Sequence, residues 1–248
     1  MPAPERFFTE DRKQKLTKAA HQRHSCRVYT GELSVGDWSA LSYTAGRCVL
    51  PGARLVLMRV DETLFTGMVL GVGRITGCRK VAAVLIDPAE PMAHVHAGFI
   101  GEVFCLEAEQ MGLGTCWVGG TYRKKQITGL PLNGGETLLC VIAVGTPAAK
   151  AGSEHRRKPL EHLTRGDISA WPQEYRGAAE LVRIAPSAVN LQPWTMEAEE
   201  NAFLISGADR SQTDLGIAMC HAELALTTPH RWRCTAERGR TLLCAERV

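Results

Sequence analysis

The sequence predicts an α+β fold, in which helices and strands are mixed without the regular alternation of a parallel sheet protein. Three observations indicate this class. Short apolar runs at Lys80–Pro88 and Thr137–Pro147 are typical of buried strands. Apolar residues at helical spacing occur between these runs and after them. Composition fits a sizeable core, since 45% of the 248 residues are apolar and 22% are charged.

The elements before residue 148 follow from local signals. Ser34 precedes Asp37 by three residues, which resembles a capping box and predicts a helix start. Arg54–Asp61 is a predicted strand. The amphipathic run that follows the second strand predicts a long helix, and Gly112 and Gly114 are expected to end it, because glycine commonly closes helices.

The elements after residue 148 begin with a linker at Ala148–Pro159. A helix is predicted with Pro172 in its first turn, then a hairpin whose turn is Glu-Glu-Asn. Another helix is expected over Ser211–Leu226, and two strands flank Arg238-Gly239. Both parts of the chain run helix, strands, helix and strand, and this order permits an internal duplication.

Charge and composition exclude several classes of protein. The net charge is +3 and Lys and Arg form no run of five, so neither nucleic acid nor an anionic membrane is an expected partner. The basic cluster His155–Lys158 taken alone is typical of a solvated surface. The N-terminus lacks the apolar core of a signal peptide, and no window reaches the roughly 18 apolar residues of a membrane span. We therefore expect a cytoplasmic protein.

The nine cysteines are scattered and include no C-x-x-C pair. We predict buried free thiols in a reducing compartment. His94 and His96 alternate as strand neighbours without a further ligand at suitable spacing, so no metal site is expected. Gly71–Gly77 has displaced glycines and a strand after it instead of before it, which argues against a dinucleotide-binding loop.

Two segments of the first part suggest ligand binding. In the segment QRHSCRVY, Arg23, Arg27 and Ser25 offer two guanidinium groups and a hydroxyl, which suit phosphate, although an exposed polar segment remains an alternative. The segment GLGTCWVGG, Gly112–Gly120, has uncovered backbone amides that a planar ligand could approach. A helix end followed by a tight turn explains it equally well.

The most specific segment is RIAPSAVNLQPW, Arg183–Trp194. Pro186 ends the preceding helix. Ser187, Asn190 and Gln192 then offer polar groups from a rigid turn, which suits a polar ring edge or a sugar hydroxyl. An ordinary helix-to-strand connection is the alternative.

Together these segments resemble the FMN-dependent nitroreductase family. The resemblance rests on RHSCRVY for an Arg-Arg-Ser-x-Arg motif, on PSAVNLQPW for Pro-Ser-x-x-Asn-x-Gln-Pro-Trp, on EAEQMGLGTCWVGG, and on the basic segment HRRKPLEHL. The Pro-Ser motif lies late in this chain, whereas ordinary members carry it early and reach the flavin from the partner subunit. The chain is similar to the family branch of single-chain pseudo-dimers, with which DLGIAMCHAELAL also agrees.

The resemblance implies a nitroreductase-like fold with mixed or antiparallel central sheets flanked by helices, and two fused pseudo-symmetric halves, 1–162 and 163–248. It also implies a set of FMN-binding residues. These are Arg23, His24, Ser25, Arg27, Gly119, Gly120, Arg156, Arg157, Lys158, Pro186, Ser187, Ala188, Asn190 and Gln192. His24 replaces the usual second Arg, which weakens the charge near neutral pH. Gly119 stands where some relatives carry Glu, so only a backbone donor would face N5 of the flavin.

The activity implied is hydride transfer from NAD(P)H through FMN to a nitroaromatic, quinone or similar small acceptor, with FMN carrying the chemistry and no catalytic side chain named. We expect one FMN per chain, and a monomer or weak homo-oligomer. The alternatives are another FMN reaction on this fold, such as dehalogenation or flavin breakdown, a flavin-binding or sensory protein without turnover, and a structural relic without cofactor.

Overall fold

The computed structural model describes residues 7–65, 74–149 and 156–248. By their contacts, the residues divide into two compact units. Unit A is residues 22–154, and unit B is residues 1–21 together with 155–248. The halves 1–162 and 163–248 were defined by motifs and not by contacts, and they stay a prediction. Within the described residues, no helix has the length and apolar character needed to cross a membrane.

Unit A contains an antiparallel sheet and two helices. The elements are α2 (Val35–Arg47), β1 (Val49–Leu50), β2 (Ala53–Arg59), β3 (Lys80–Ile86), α3 (Ala93–Gln110), β4 (Gly114–Val118) and β5 (Thr137–Gly145). The strand order is β1-β2-β3-β5-β4, and every neighbouring pair is antiparallel. Strand β3 is buried at all its positions, as the apolar run Val81–Ile86 predicts, and its first residue, Lys80, is buried as well.

Unit B contains a second antiparallel sheet. Its elements are α1 (Glu10–Gln22, whose last residue falls in unit A), α4 (Gln173–Ile184), β6 (Trp194–Glu199), β7 (Ala202–Ala208), α5 (Gln212–Glu223), β8 (His230–Glu237) and β9 (Arg240–Arg247). The strand order is β6-β7-β9-β8, again antiparallel throughout. The predicted hairpin with its Glu-Glu-Asn turn is confirmed as β6 and β7.

The two units share one topology. Strands β2-β3-β5-β4 of unit A match β6-β7-β9-β8 of unit B in order and in pairing. A buried helix occupies the same place in each unit: α3 connects β3 to β4, and α5 connects β7 to β8. The predicted α+β class with antiparallel sheets and flanking helices is confirmed, and the shared topology is what a duplication would produce.

Local sequence accounts for the ends of these elements. The Ser34 hydroxyl caps α2 by accepting a hydrogen bond of 3.0 Å from Asp37 N. Gly112 has φ of +75°, a conformation that favours glycine, and it follows the end of α3. Gly101 of α3 faces the indole of Trp117, which a Cβ atom would overlap. Close packing of the helix on β4 therefore depends on glycine.

The structure corrects two local interpretations. His94 and His96 lie in the first turns of α3 and not in a strand. The segment after Gly112 continues as strand β4 and not as a tight turn, because Gly114–Val118 pairs with β5. Residues 71–73 of the segment Gly71–Gly77 lie outside the described residues. All nine cysteines are free and seven are buried, which confirms the prediction of buried thiols.

Candidate functional site

The Arg-Ser-Arg segment lies beside strand β4 in unit A. Ser25 forms a parallel bridge with Thr115, and Cys26 N donates a hydrogen bond of 2.8 Å to Thr115 O. The Tyr29 hydroxyl closes the segment with a hydrogen bond of 2.7 Å to Cys26 O. Because β4 runs directly into Gly119, two motifs separated by some ninety positions in the sequence occupy neighbouring backbone.

The Arg23 side chain is 1% exposed and pairs with a buried carboxylate. Its Nε lies 3.3 Å from Glu102 Oε1, and Trp117 Nε1 donates a hydrogen bond of 2.9 Å to Glu102 Oε2. Arg23 NH1 and Arg27 Nε are buried and have no hydrogen-bond partner in the part of the chain that the structure describes. Buried guanidinium nitrogens without acceptors are costly, so they are candidate donors to an anionic ligand.

The other predicted residues of unit A are more accessible. His24, Ser25 and Arg27 are half-buried, and Gly119 and Gly120 are exposed. A Cβ atom at either glycine would contact nothing within 4 Å, and neither glycine has a positive φ. Packing within the described structure therefore does not require glycine at these two positions. Their absent side chains leave the backbone open to a flat group.

In unit B, the Pro-Ser segment forms a strained turn after α4. Val189, Asn190 and Gln192 have φ of 45°, 58° and 45°, a region that non-glycine residues rarely occupy. For the β-branched Val189 this conformation is especially unfavourable. Ser187 Oγ stabilises the turn by accepting a hydrogen bond of 2.8 Å from Gln192 N.

The amide side chains of this turn hold the basic segment 156–158. Asn190 Oδ1 accepts a hydrogen bond of 2.8 Å from Arg157 NH1, and Asn190 Nδ2 donates one of 2.9 Å to Arg156 O. Gln192 is 2% exposed, and its Oε1 accepts a hydrogen bond of 2.7 Å from Lys158 N. The structure thus brings together two motifs that the sequence analysis singled out separately.

The polar side chains of the turn all have partners within the protein. Ser187 Oγ bonds within the turn, Asn190 bonds segment 156–158, and Gln192 Nε2 donates a further hydrogen bond of 2.8 Å to Arg183 O. The guanidinium of Arg157 is engaged as well, since its NH2 donates a hydrogen bond of 3.0 Å to Ile184 O. Arg156, Lys158, Ala188 and Asn190 are the exposed members of this group.

Two carboxylates near the predicted residues escaped the sequence analysis. Asp214 Oδ1, in the first turn of α5, accepts a hydrogen bond of 2.9 Å from Ala188 N and so fixes the start of the turn. Burial raises the pKa of Asp214, and the hydrogen bond from Ala188 opposes that rise. Glu102 lies in the apolar helix α3, where the only signal was a charged residue on an otherwise apolar face.

Fold and motifs together define a nitroreductase-like protein. The family model described as "Putative TM nitroreductase" matches residues 15–226, and the chain belongs to this family. No curated protein sequence matches the chain.

One solved structure supports the fold over nearly the whole chain, and two further similar structures bind FMN. A "putative nitroreductase" from Thermotoga maritima has 21% sequence identity and a TM-score of 0.66, and the match covers 93% of each chain. A "putative nitroreductase in complex with FMN" from Desulfovibrio desulfuricans has 22% identity and a TM-score of 0.49, covering 63% of this chain and 98% of that one. A nitroreductase with bound FMN from Desulfitobacterium hafniense has 18% identity and a TM-score of 0.49, covering 62% and 98%.

Proposed function

We propose that the protein is an FMN-dependent oxidoreductase that takes a hydride from NAD(P)H and passes electrons to a small oxidised acceptor, such as a nitroaromatic or a quinone. Family membership supports the class of reaction. The observation that best supports FMN binding is a pair of buried guanidinium nitrogens, Arg23 NH1 and Arg27 Nε. Both lack a hydrogen-bond partner among the described residues.

The residues of unit A fit a phosphate group. Arginine donates charge-assisted hydrogen bonds to phosphate oxygens, and such bonds would satisfy both buried nitrogens. The half-buried hydroxyl of Ser25 lies between these arginines in sequence and can add a donor. His24 contributes charge only when it is protonated, so we expect the phosphate to be held mainly by arginine.

The exposed backbone at Gly119 and Gly120 is proposed to face the flavin ring, since no side chain there would obstruct a flat ligand. Bound FMN would supply the hydride chemistry, and the protein would supply binding, orientation and charge.

In unit B, we propose that Arg156, Lys158 and the backbone of the Pro-Ser turn bind FMN, with one donor of the Lys158 ammonium already directed to Leu191 O. The remaining predicted members play a supporting part in this proposal, because Asn190, Gln192 and Arg157 already use their side chains to fix the turn and segment 156–158. Ser187 supports the turn through its hydroxyl, and Pro186 does so through its fixed φ. One FMN per chain is part of the proposal.

The decisive experiment is a visible spectrum of the freshly purified protein, followed by the ratio of released FMN to protein. We expect flavin absorbance and a ratio near one. NADH or NADPH oxidation with menadione or a nitrofuran then tests turnover. Colourless protein that takes up no added FMN would refute the proposal that FMN is the cofactor. Bound FMN without turnover would refute only the proposed oxidoreductase activity.

A variant pair locates the phosphate site. Arg27→Met removes a proposed phosphate donor, and we expect FMN affinity to fall by about tenfold or more. Arg47→Met is the matched control, because this arginine stacks on the Tyr43 ring in α2 and is not part of the proposed site. Equal FMN affinity in the two variants would argue against the assignment of Arg27.

A further inference from the structure

The two units contain the same buried arrangement of a carboxylate and an indole. In unit A, Glu102 of α3 is fully buried and accepts a hydrogen bond from Trp117 Nε1 of β4. In unit B, Glu223 of α5 is 2% exposed and accepts a hydrogen bond of 2.8 Å from Trp232 Nε1 of β8. Since α3 corresponds to α5 and β4 to β8 in the shared topology, the arrangement is repeated between equivalent elements.

Each carboxylate also faces a buried lysine or arginine, and these two cations differ; Glu223 Oε2 lies in addition 2.9 Å from His230 Nε2. Lys13 of α1 lies 3.7 Å from Glu223 Oε1, and its ammonium donates a hydrogen bond of 2.6 Å to Leu226 O. Arg23 Nε forms an ion pair of 3.3 Å with Glu102 Oε1, and neither Nε nor NH1 of Arg23 has a hydrogen-bond partner within residues 7–65, 74–149 and 156–248. The Lys13 ammonium thus has partners within the protein, whereas Arg23 NH1 is a donor that no described residue accepts from.

We propose that Glu102 is a positioning residue for ligand binding. Its carboxylate is ion-paired with Nε of the Arg23 guanidinium at 3.3 Å and restricts the rotation of this side chain, so that the buried NH1 is held available for an anionic oxygen. A planar guanidinium can serve a carboxylate and a phosphate at once, whereas a lysine ammonium is a point charge that Glu223 and Leu226 already occupy. Unit A thus uses the repeated arrangement for binding, and unit B uses it for structure alone. This inference rests on the proposed binding of FMN.

The chain provides matched controls for both members of the pair. Glu102→Gln keeps an oxygen for the Trp117 indole but removes the negative charge that orients Arg23. Arg23→Lys reproduces the cation of unit B, so the ion pair and the fold are retained while the second edge of the guanidinium is lost. Glu223→Gln and Lys13→Arg make the corresponding changes in unit B. The readouts are the Kd of FMN and of riboflavin, by quenching of flavin fluorescence, and unfolding of the apoprotein.

We expect Arg23→Lys and Glu102→Gln to weaken FMN binding by about tenfold or more, the size of one lost charge-assisted hydrogen bond. Riboflavin, which lacks the phosphate, should bind each variant as it binds the wild type. Lys13→Arg and Glu223→Gln should leave the Kd of FMN unchanged in protein that is folded by circular dichroism. If Glu102→Gln unfolds, Arg23→Lys still tests the arginine donor, and Glu102→Asp, which keeps the charge on a shorter side chain, tests the position.

Three outcomes overturn the inference. One is wild-type FMN affinity in folded Arg23→Lys, or in the folded Glu102 variants. Another is an equal loss of FMN affinity in the unit B controls, since that would indicate a general effect on stability. The third is an equal loss of riboflavin affinity, because it would place the effect away from the phosphate. Wild-type protein that binds no flavin refutes the proposed function itself, and the inference falls with it.

Discussion

The side-chain oxygen of Asn190 accepts a hydrogen bond of 2.8 Å from the guanidinium of Arg157, which lies 33 positions earlier in the sequence. Asn190 also has a φ of 58°, so one residue provides both the left-handed backbone of the turn and its attachment to segment 156–158. Asparagine suits this position because it tolerates left-handed backbone better than most residues.

Replacing Asn190 tests this attachment. Asn190→Gly keeps the backbone conformation and removes both side-chain hydrogen bonds, so we expect segment 156–158 to loosen and FMN affinity to fall several-fold. Asn190→Ala should lose more, because alanine is strained at positive φ. Hydrogen exchange of the Lys158 amide in the apoprotein reports the loosening without cofactor. Asn201→Gly, in the β6–β7 turn, is the control, and equal exchange in both glycine variants would contradict the attachment.

The packing of α3 on β4 predicts opposite effects for two helical glycines. A Cβ atom at Gly101 would overlap the Trp117 ring and lie 3.2 Å from Ile142 Cδ1, so Gly101→Ala should lower the free energy of unfolding by about 1–3 kcal/mol. A Cβ atom at Gly46 in α2 meets nothing within 4 Å, so Gly46→Ala should raise it by about 0.5–1 kcal/mol. Urea unfolding measures both. A neutral Gly101→Ala would mean that the indole can move without cost.

Acid should weaken unit B through Glu174. Its carboxylate accepts hydrogen bonds from Thr227 N, Thr228 N and Arg247 NH2. Burial favours a higher pKa, but these hydrogen bonds outweigh it and lower the pKa of Glu174 to about 2. The stabilisation is therefore complete above the unfolded pKa of about 4.5 and is lost as the pH falls towards 2. Between pH 4.5 and 2, the free energy of unfolding of Glu174→Gln should fall by less than that of wild type. We expect a difference on the order of 1–2 kcal/mol, after allowance for solvent screening.

The control for the acid experiment lies in the same helix. Glu180 pairs with Arg183 at the surface of α4, and its side chain is 52% exposed. Unfolding of Glu180→Gln should follow the wild-type dependence on pH. If Glu174→Gln and wild type lose stability in parallel between pH 4.5 and 2, the assignment to Glu174 is wrong.

The stabilisation by His230 should be lost as the pH rises, whereas that by Glu174 is lost as the pH falls. Its Nδ1 lies 2.9 Å from Thr228 O and its Nε2 lies 2.9 Å from Glu223 Oε2, so both nitrogens can donate only in the protonated ring. Burial lowers the pKa of His230, but the hydrogen bond to Glu223 and the charge of Glu223 outweigh this effect. The net pKa of His230 is raised, and Lys13 opposes the rise only weakly. Because the folded pKa is raised, the stabilisation is present below the ordinary pKa of about 6.5 and is lost as the pH rises through the folded value.

Chemical unfolding between pH 5.5 and 8.5 checks this prediction. The difference in stability between wild type and His230→Gln should shrink as the pH rises. His96, whose pKa is lowered by burial, contributes with the opposite sign in both proteins and cancels in the comparison. His162→Gln, at an exposed position, serves as the control. A constant difference across this range would exclude protonation of His230 as the cause.

Much of the fold could be predicted from local patterns. The run Val81–Ile86 forms a buried strand because it is apolar without interruption, and Ser34 begins a helix because its hydroxyl can cap one. His94 and His96 misled the prediction because two alternating residues cannot distinguish a strand from the first turn of a helix. Strand β4 was missed because the glycines at its start and on both sides of it suggested a turn.

The candidate site was predictable in its segments but not in its contacts. The sequence singled out both Asn190 and Arg157, yet their hydrogen bond depends on the path of the chain between them. The burial of Gln192 could not be foreseen, because glutamine is usually exposed and its two backbone partners carry no sequence signal. The role of Glu102 could not be foreseen either, because it depends on the contacts of this carboxylate with Arg23 and Trp117 in the folded protein.

The placement of β9 has a consequence for the order in which the chain can fold. In unit B, β9 lies between β7 and β8 and is synthesised after both. In unit A, β5 lies between β3 and β4 and is likewise synthesised after both. Until the inserted strand arrives, the strand edges that it will pair with are open to other strands. Each sheet is therefore exposed to mispairing during synthesis until its last strand has emerged.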